Sequence, residues 1–259
     1  MNRIKQLFEQ KTGPLLSIYY TAGYPYLNST VDIAEALEKA GADFLEIGFP
    51  YSDPVADGPV IQQSSQQALK NGMTVEVLFE QLRDLRRRVS IPVLLMGYVN
   101  PVLQYGVENF CRSAQECGVD GVIVPDLPMY EYEELYQGCF EQHDVSNIFL
   151  VTPQTSEERI RKIDDLTNGF IYLLSTSATT GKNLSVSEDI EKYFARIQNM
   201  RLKNPAMIGF GISDKESFDK AAKYTRGAIV GSAFVKLLGS GPDFMEKIPE
   251  FIRSIKGNR

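Results

Sequence analysis

The chain has 259 residues and a formal net charge of -6, long enough for a large single core and acidic enough to exclude a phosphate-backbone binder, which needs a basic face. No apolar run reaches the ~20 residues of a membrane span. The three cysteines, Cys111, Cys117 and Cys139, are neither even in number nor spaced as C-x-x-C, so the spacing indicates neither a disulfide framework nor a zinc site.

Ile4, Leu7 and Phe8 stand at helical spacing among charges in Met1 to Lys11, predicting a short amphipathic helix too polar for a signal peptide; a soluble cytoplasmic protein is expected. Leu15 to Tyr20 reads as a strand ending in the turn Thr21-Ala22-Gly23, and Ser29 to Ala40 as a helix stopped by Gly41. Asp43 to Phe49 is the second strand, followed by helices over Ile61 to Lys70 and Val75 to Val89; Arg86-Arg87-Arg88, the one basic cluster, reads as a solvated helix face. Pro92 to Tyr98 is a strand, Val107 to Cys117 a helix, Gly121 to Val124 a strand, Tyr130 to Gln142 a helix and Asn147 to Val151 a strand. Helix and strand then alternate through Ser156 to Leu166, Gly169 to Leu174, Ser187 to Met200, Ala206 to Phe210, Lys215 to Lys223 and Gly227 to Val230, and Ala233 to Leu238 and Asp243 to Ile255 close the chain as helices.

About eight strand-helix units fit an α/β fold of the (β/α)8 TIM-barrel type with an extra N-terminal helix, one domain over residues 1–259. An open doubly wound sheet is the alternative, but its usual Gly-x-Gly-x-x-Gly turn after the first strand is missing. In a barrel the site lies at the carboxyl ends of the strands. Glu46 is the anomaly there, a carboxylate inside the apolar run Asp43-Phe44-Leu45-Glu46-Ile47-Gly48-Phe49. Buried, it is either paired or kept for proton transfer. Alternation puts Phe44, Glu46 and Gly48 on one face; if Leu45, Ile47 and Phe49 meet the helices, Glu46 points into the barrel, with a raised pKa suited to acid-base work. Asp57, in the following Pro- and Gly-bracketed loop, can reach the same cavity.

The single histidine, His143, lies near the end of a polar helical stretch and not after a strand, which argues against Ser-His-Asp, Cys-His and multi-histidine metal chemistry. No lysine falls inside a strand run, which disfavours Schiff-base chemistry. Loops after the last three strands carry Thr180, Gly181, Phe210, Gly211, Gly231 and Ser232. Glycines at such places either let backbone N–H groups approach a phosphate or merely turn the chain; together they favour phosphate. The first of these loops is not a Walker A loop, since Thr176 and Asn183 stand where Gly and Ser/Thr are required. Tyr19 and Tyr172, within strands, either line the cavity or are core aromatics.

The segment Leu45-Glu46-Ile47-Gly48-Phe49-Pro50-Tyr51-Ser52-Asp53-Pro54-Val55-Ala56-Asp57-Gly58-Pro59 resembles the signature of the tryptophan synthase α-subunit family, and Thr21-Ala22-Gly23, Asn100-Pro101, Val124-Pro125-Asp126-Leu127-Pro128, Gly209-Phe210-Gly211-Ile212-Ser213 and Gly231-Ser232-Ala233 extend the likeness over nearly the whole chain. The resemblance implies retro-aldol cleavage of indole-3-glycerol phosphate to indole and glyceraldehyde 3-phosphate without a cofactor. It implies that Glu46 moves protons between the glyceryl hydroxyl and the indole ring, that Asp57 holds the indole N–H, that Tyr172 lines the site and that Thr180 meets Asp57 on loop closure. Phosphate would be held by backbone around Gly181, Gly211, Gly231 and Ser232. The implied partner is the pyridoxal-phosphate-bearing β subunit in an α2β2 complex, docked over Ser52 to Gly58, Asn100-Pro101 and Asp126 to Met129. Ala178 stands where the family commonly has glycine in its closing loop, which motivates an alternative, a catalytically weak subunit that mainly activates its partner. Other phosphate-ester barrel enzymes share the fold, but many need histidines or metal ligands after strands that this chain lacks.

Overall fold

The computed structural model describes residues 2–174, 188–209 and 211–257. Among the described residues nine strands make one sheet: β1 (Leu15–Thr21), β2 (Phe44–Gly48), β3 (Val93–Met96), β4 (Gly121–Ile123), β5 (Ser146–Ile148), β6 (Leu150–Val151), β7 (Ile171–Leu174), β8 (Ala206–Gly209) and β9 (Gly227–Val230). The pairs are parallel, and the order β5-β4-β3-β2-β1-β9-β8-β7-β6 brings the first strand against the last. Where the sequence predicts one strand over 147–151, pairing divides at Phe149: β5 pairs with β4, β6 pairs with β7, and the Phe149 carbonyl accepts from Tyr172 N–H. The two pieces therefore fill one strand position, and the nine strands form an eight-position barrel with helices outside.

Alternation along the strands decides what faces where. Leu16, Ile18, Tyr20, Leu45, Ile47 and Phe49 pack outward against the helices, while Leu15, Phe44, Leu94, Ile123, Ile148, Tyr172, Met207 and Ile229 fill the barrel interior. Burial on both faces explains why the strands read as nearly continuous Val, Ile, Leu and Phe runs. The expected N-terminal helix spans Arg3–Gln10, and its Ile4, 1% exposed, packs with that interior cluster at the amino-terminal end.

Two helical predictions need correction. Asn100-Pro101, left outside every element in the sequence, lies in the first turn of a helix Val99–Tyr105, where proline is tolerated because its missing N–H has no acceptor there. The stretch 75–89 is two helices, Val75–Leu82 and Leu85–Arg88. Arg86 also departs from the solvated face expected of its cluster. Its side chain is 19% exposed and donates to the carbonyls of Gly118, Val89 and Ile91 and to Asp120 Oδ2, strapping the turn before β4 to the turn before β3.

Candidate active site

Glu46 sits in the middle of β2, paired in register with Tyr19 on one side and Leu94 on the other. The flanking apolar residues force its direction, inward with Phe44, and it is wholly buried. Its Oε1 accepts from Ser17 Oγ at 3.0 Å, and among the described residues Oε2 has no hydrogen-bond partner. Loss of water raises its pKa to about 8, opposed by the Ser17 hydrogen bond. A carboxyl group so placed is mostly protonated at neutral pH and able to give or take a proton.

Asp57 comes from the loop between β2 and the helix Pro59–Lys70. Burial lifts it to about 6, and the Tyr98 hydroxyl, donating to Oδ2 at 3.1 Å, works against that rise. Gln62 Nε2 donates to the Asp57 carbonyl at 2.9 Å, so the first turn of the helix holds the loop in place.

A cavity of about 260 Å³ at the carboxyl ends of the strands brings together Tyr19, Asp57, Tyr172, Gly211, Gly231 and Ser232, six of the residues singled out in the sequence. Burial, then the charges of both Glu46 and Asp57, push the Tyr19 and Tyr172 hydroxyls above their ordinary range, which places both phenols in the field of both carboxylates. Glu46 is sealed from solvent and lies beside these rings. Close approach of each ring needs a glycine: a Cβ on Gly48 would strike the Tyr19 hydroxyl, and one on Gly209 the Tyr172 hydroxyl. Gly211 takes a left-handed φ of 77°, and Ser232 opens the helix Ser232–Leu238, whose first N–H groups have no acceptor within it. Thr180, Gly181, Phe210 and Ala178 lie outside the described residues.

The sequence reading missed Tyr98, Met96, Ile61 and Lys236, all in or against this site. Met96 was within reach, since it follows Leu94 on the inward parity of β3; Lys236, one helical turn after Ser232, was too. Tyr98 carries no local signal, because its partner lies 41 residues away. A larger hollow of about 780 Å³, with Lys5, Phe8, Asn204 and Arg226 in its wall, opens at the other end, beside the N-terminal helix. Glu46 and Asp57 take no part in it, and parallel barrels place their chemistry at the opposite face.

Residues 5–253 match the family model described as tryptophan synthase alpha chain. A curated tryptophan synthase alpha chain of Flavobacterium psychrophilum is 57% identical over 238 residues, covering 92% of this chain and 94% of that one. Among solved structures, the alpha chain of Legionella pneumophila subsp. pneumophila superposes with a TM-score of 0.88 at 33% identity, covering 99% and 96% of the two chains. A chain of the tryptophan synthase complex of Pyrococcus furiosus does so with a TM-score of 0.86 at 34% identity, covering 94% and 98%.

Proposed function

The chain belongs to the tryptophan synthase alpha chain family, and we propose that Glu46 and Asp57 are the carboxylates with which it performs that family's chemistry. It is a lyase of tryptophan biosynthesis, catalysing the half-reaction that cleaves indole-3-glycerol phosphate. Protonated Glu46 gives its proton to the indole carbon that bears the glyceryl chain. Positive charge then develops at the indole nitrogen, where ionised Asp57 accepts the N–H bond and stabilises it. Glu46, now a carboxylate, takes the proton of the adjacent glyceryl hydroxyl as the carbon-carbon bond breaks, releasing indole and glyceraldehyde 3-phosphate. The proton count closes, and Glu46 ends as it began.

The observation that carries this assignment is the buried Glu46, held by Ser17 alone among the described residues, beside a cavity walled by Asp57. Carboxyls shifted to about 8 and about 6 hold opposite protonation states near neutral pH, as an acid and an anionic stabiliser require. Tyr19 and Tyr172 line the indole side, and the sequence resemblance adds Phe210. Backbone at Gly211, Gly231 and Ser232 receives the phosphate, with Lys236 in the same cavity wall, and the sequence resemblance adds Gly181. Both acids in place favour an active lyase over a subunit that only activates a partner.

A β subunit docking over 52–58, 100–101 and 126–129 is supported by how these segments join. Asn100 Nδ2 donates to the Tyr51 hydroxyl at 3.3 Å, and Val99 N–H to Asp126 Oδ1 at 2.9 Å. Val55, Leu103 and Tyr130, exposed by 79%, 46% and 63%, stand on or beside them as apolar anchors. No helix among the described residues is long and apolar enough to cross a membrane, and we place the single barrel domain, residues 1–259, in the cytoplasm as part of an α2β2 assembly. Purified protein mixed with indole-3-glycerol phosphate, with and without a β subunit, should release triose phosphate, faster with the partner present. No triose phosphate in either mixture overturns the assignment.

A further inference from the structure

Two helices of the outer layer, Val107–Cys117 and Gln137–Gln142, bring a carboxylate, a thiol and an imidazole to one point. Cys139 and His143 are four residues apart and joined by a backbone hydrogen bond from His143 N–H to the Cys139 carbonyl, so their side chains share a face. Across from them stands Glu108. His143 Nε2 lies 2.9 Å from Glu108 Oε1, Cys139 Sγ donates to Glu108 Oε2 at 3.2 Å, and the three ligand atoms lie within 4.8 Å of one another. His143 Nδ1 meets Gln115 Oε1 at 2.9 Å. Both ring nitrogens face acceptor oxygens, Nδ1 donating to Gln115 and Nε2 to Glu108; the Gln115 bond fixes the ring, as outer partners do for metal-binding histidines, so that loss of the Nε2 proton turns a lone pair toward the cluster. The Cys111 thiol, wholly buried, lies against Cys139 from below.

We propose that Glu108, Cys139 and His143 bind a zinc-class divalent cation, with solvent in the fourth position. Thiolate, imidazole and carboxylate are the donors zinc takes, and tetrahedral bonds of about 2.0–2.3 Å put neighbouring donors roughly 3.3–3.8 Å apart. The two separations to Glu108, 2.9 and 3.2 Å, are shorter than those edges, and all three ligand atoms fall within 4.8 Å of one another. Glu108, its side chain 57% exposed, has room to swing outward by the difference, and it offers the cation its way in. On binding, the Cys139 thiol and His143 Nε2 each lose a proton to solvent, and the sulfur and nitrogen take the cation in place of their hydrogen bonds to Glu108. An ion pair between Glu108 and His143 needs neither the thiol nor an oriented Nδ1. The cation would replace the Glu108 hydrogen bonds that now join these two segments with metal-ligand bonds, and it takes no part in the lyase chemistry.

Metal-free full-length protein titrated with Co(II) should take up one equivalent per chain with a thiolate-to-cobalt charge-transfer band, and Zn(II) should displace it. Cys139→Ser should abolish the band, and His143→Gln should weaken Co(II) binding at least ~10-fold. Zn(II) should raise the unfolding midpoint of the wild type and leave that of Cys139→Ser unchanged. Glu108→Gln, at the exposed member, supplies the same comparison if either other variant folds poorly. No charge-transfer band in the wild type, or equal uptake by wild type and variants, overturns the proposal.

Discussion

The Tyr98 hydroxyl donates to Asp57 Oδ2 at 3.1 Å and accepts from Ala56 N–H at 3.0 Å, so one phenol fixes both the carboxylate and the backbone that carries it. Burial raises Asp57 and this bond lowers it again, leaving it at about 6. Removing the hydroxyl in Tyr98→Phe withdraws support from the charged form. The acid limb of the kcat/KM profile for triose phosphate release should therefore move up by about one pH unit, the worth of one hydrogen bond to an ionised group. An acid limb that stays in place would mean that the rate does not follow Asp57.

Glu46 sets the other limb. It begins the reaction protonated, so kcat/KM should fall as pH rises through about 8. Glu46→Gln keeps the shape and removes the proton transfer. Cleavage should drop roughly 10²-fold or more, with the alkaline limb gone, while glycerol 3-phosphate binding, followed by calorimetry, stays within about twofold. Cleavage at the wild-type rate would remove Glu46 from the mechanism.

The same carboxyl makes stability depend on pH. Its folded pKa, about 8, stands above the ordinary 4.5, so the folded state holds the proton more tightly. Its contribution is full below 4.5 and is lost as pH rises towards 8. Relative to wild type, Glu46→Gln should gain stability across that window, by up to about 1.4 kcal/mol per pH unit, in urea unfolding followed at several pH values. A difference that does not vary with pH would show that Glu46 is not carrying this proton.

Gly209→Ala sets a methyl group against the Tyr172 hydroxyl. The ring must shift, costing about 1–3 kcal/mol in thermal unfolding and roughly 10- to 100-fold in kcat/KM through misplaced substrate. Wild-type kinetics in this variant would show that the position of the Tyr172 ring does not govern turnover.

At the amino-terminal end of β2, Asp43, its side chain 2% exposed, pairs with Lys11 and with Lys256 and accepts from Leu16 N–H at 2.7 Å. Asp43→Ala leaves that N–H unmatched and removes the carboxylate both lysines meet. A loss of about 2–4 kcal/mol is expected in urea unfolding, with catalytic constants unchanged below the transition.

Most of the barrel was legible because most strands are apolar on both faces and most helices on one stripe, and the odd-even rule, with Leu45, Ile47 and Phe49 set against the helices, aimed Glu46 inward. Pro101 hid the helix Val99–Tyr105, since a proline reads as a break until the chain around it supplies a first turn for it to occupy. Glu46, Asp57 and the glycines at 211 and 231 stood in local motifs. Tyr98, Arg86 and the Glu108, Cys139 and His143 cluster did not. The spacing rules that spoke against zinc look for ligands close in sequence, whereas His143 meets Glu108 across 35 positions and Cys139 meets it across 31. Partners of that separation are decided by the packing of helices.

Ile4, at the amino-terminal end of the barrel, completes a packed interior with Leu15, Phe44, Leu94, Ile123 and Phe170, so the barrel is a cup and not a tube. Substrate and both products then share one mouth, and indole must leave past the rim it came in by. The segment 52–58, which carries Asp57, is part of that rim, so a partner seated on it stands on the doorstep of the departing indole. With the floor stopped by this packed layer, product traffic is confined to the carboxyl ends of the strands.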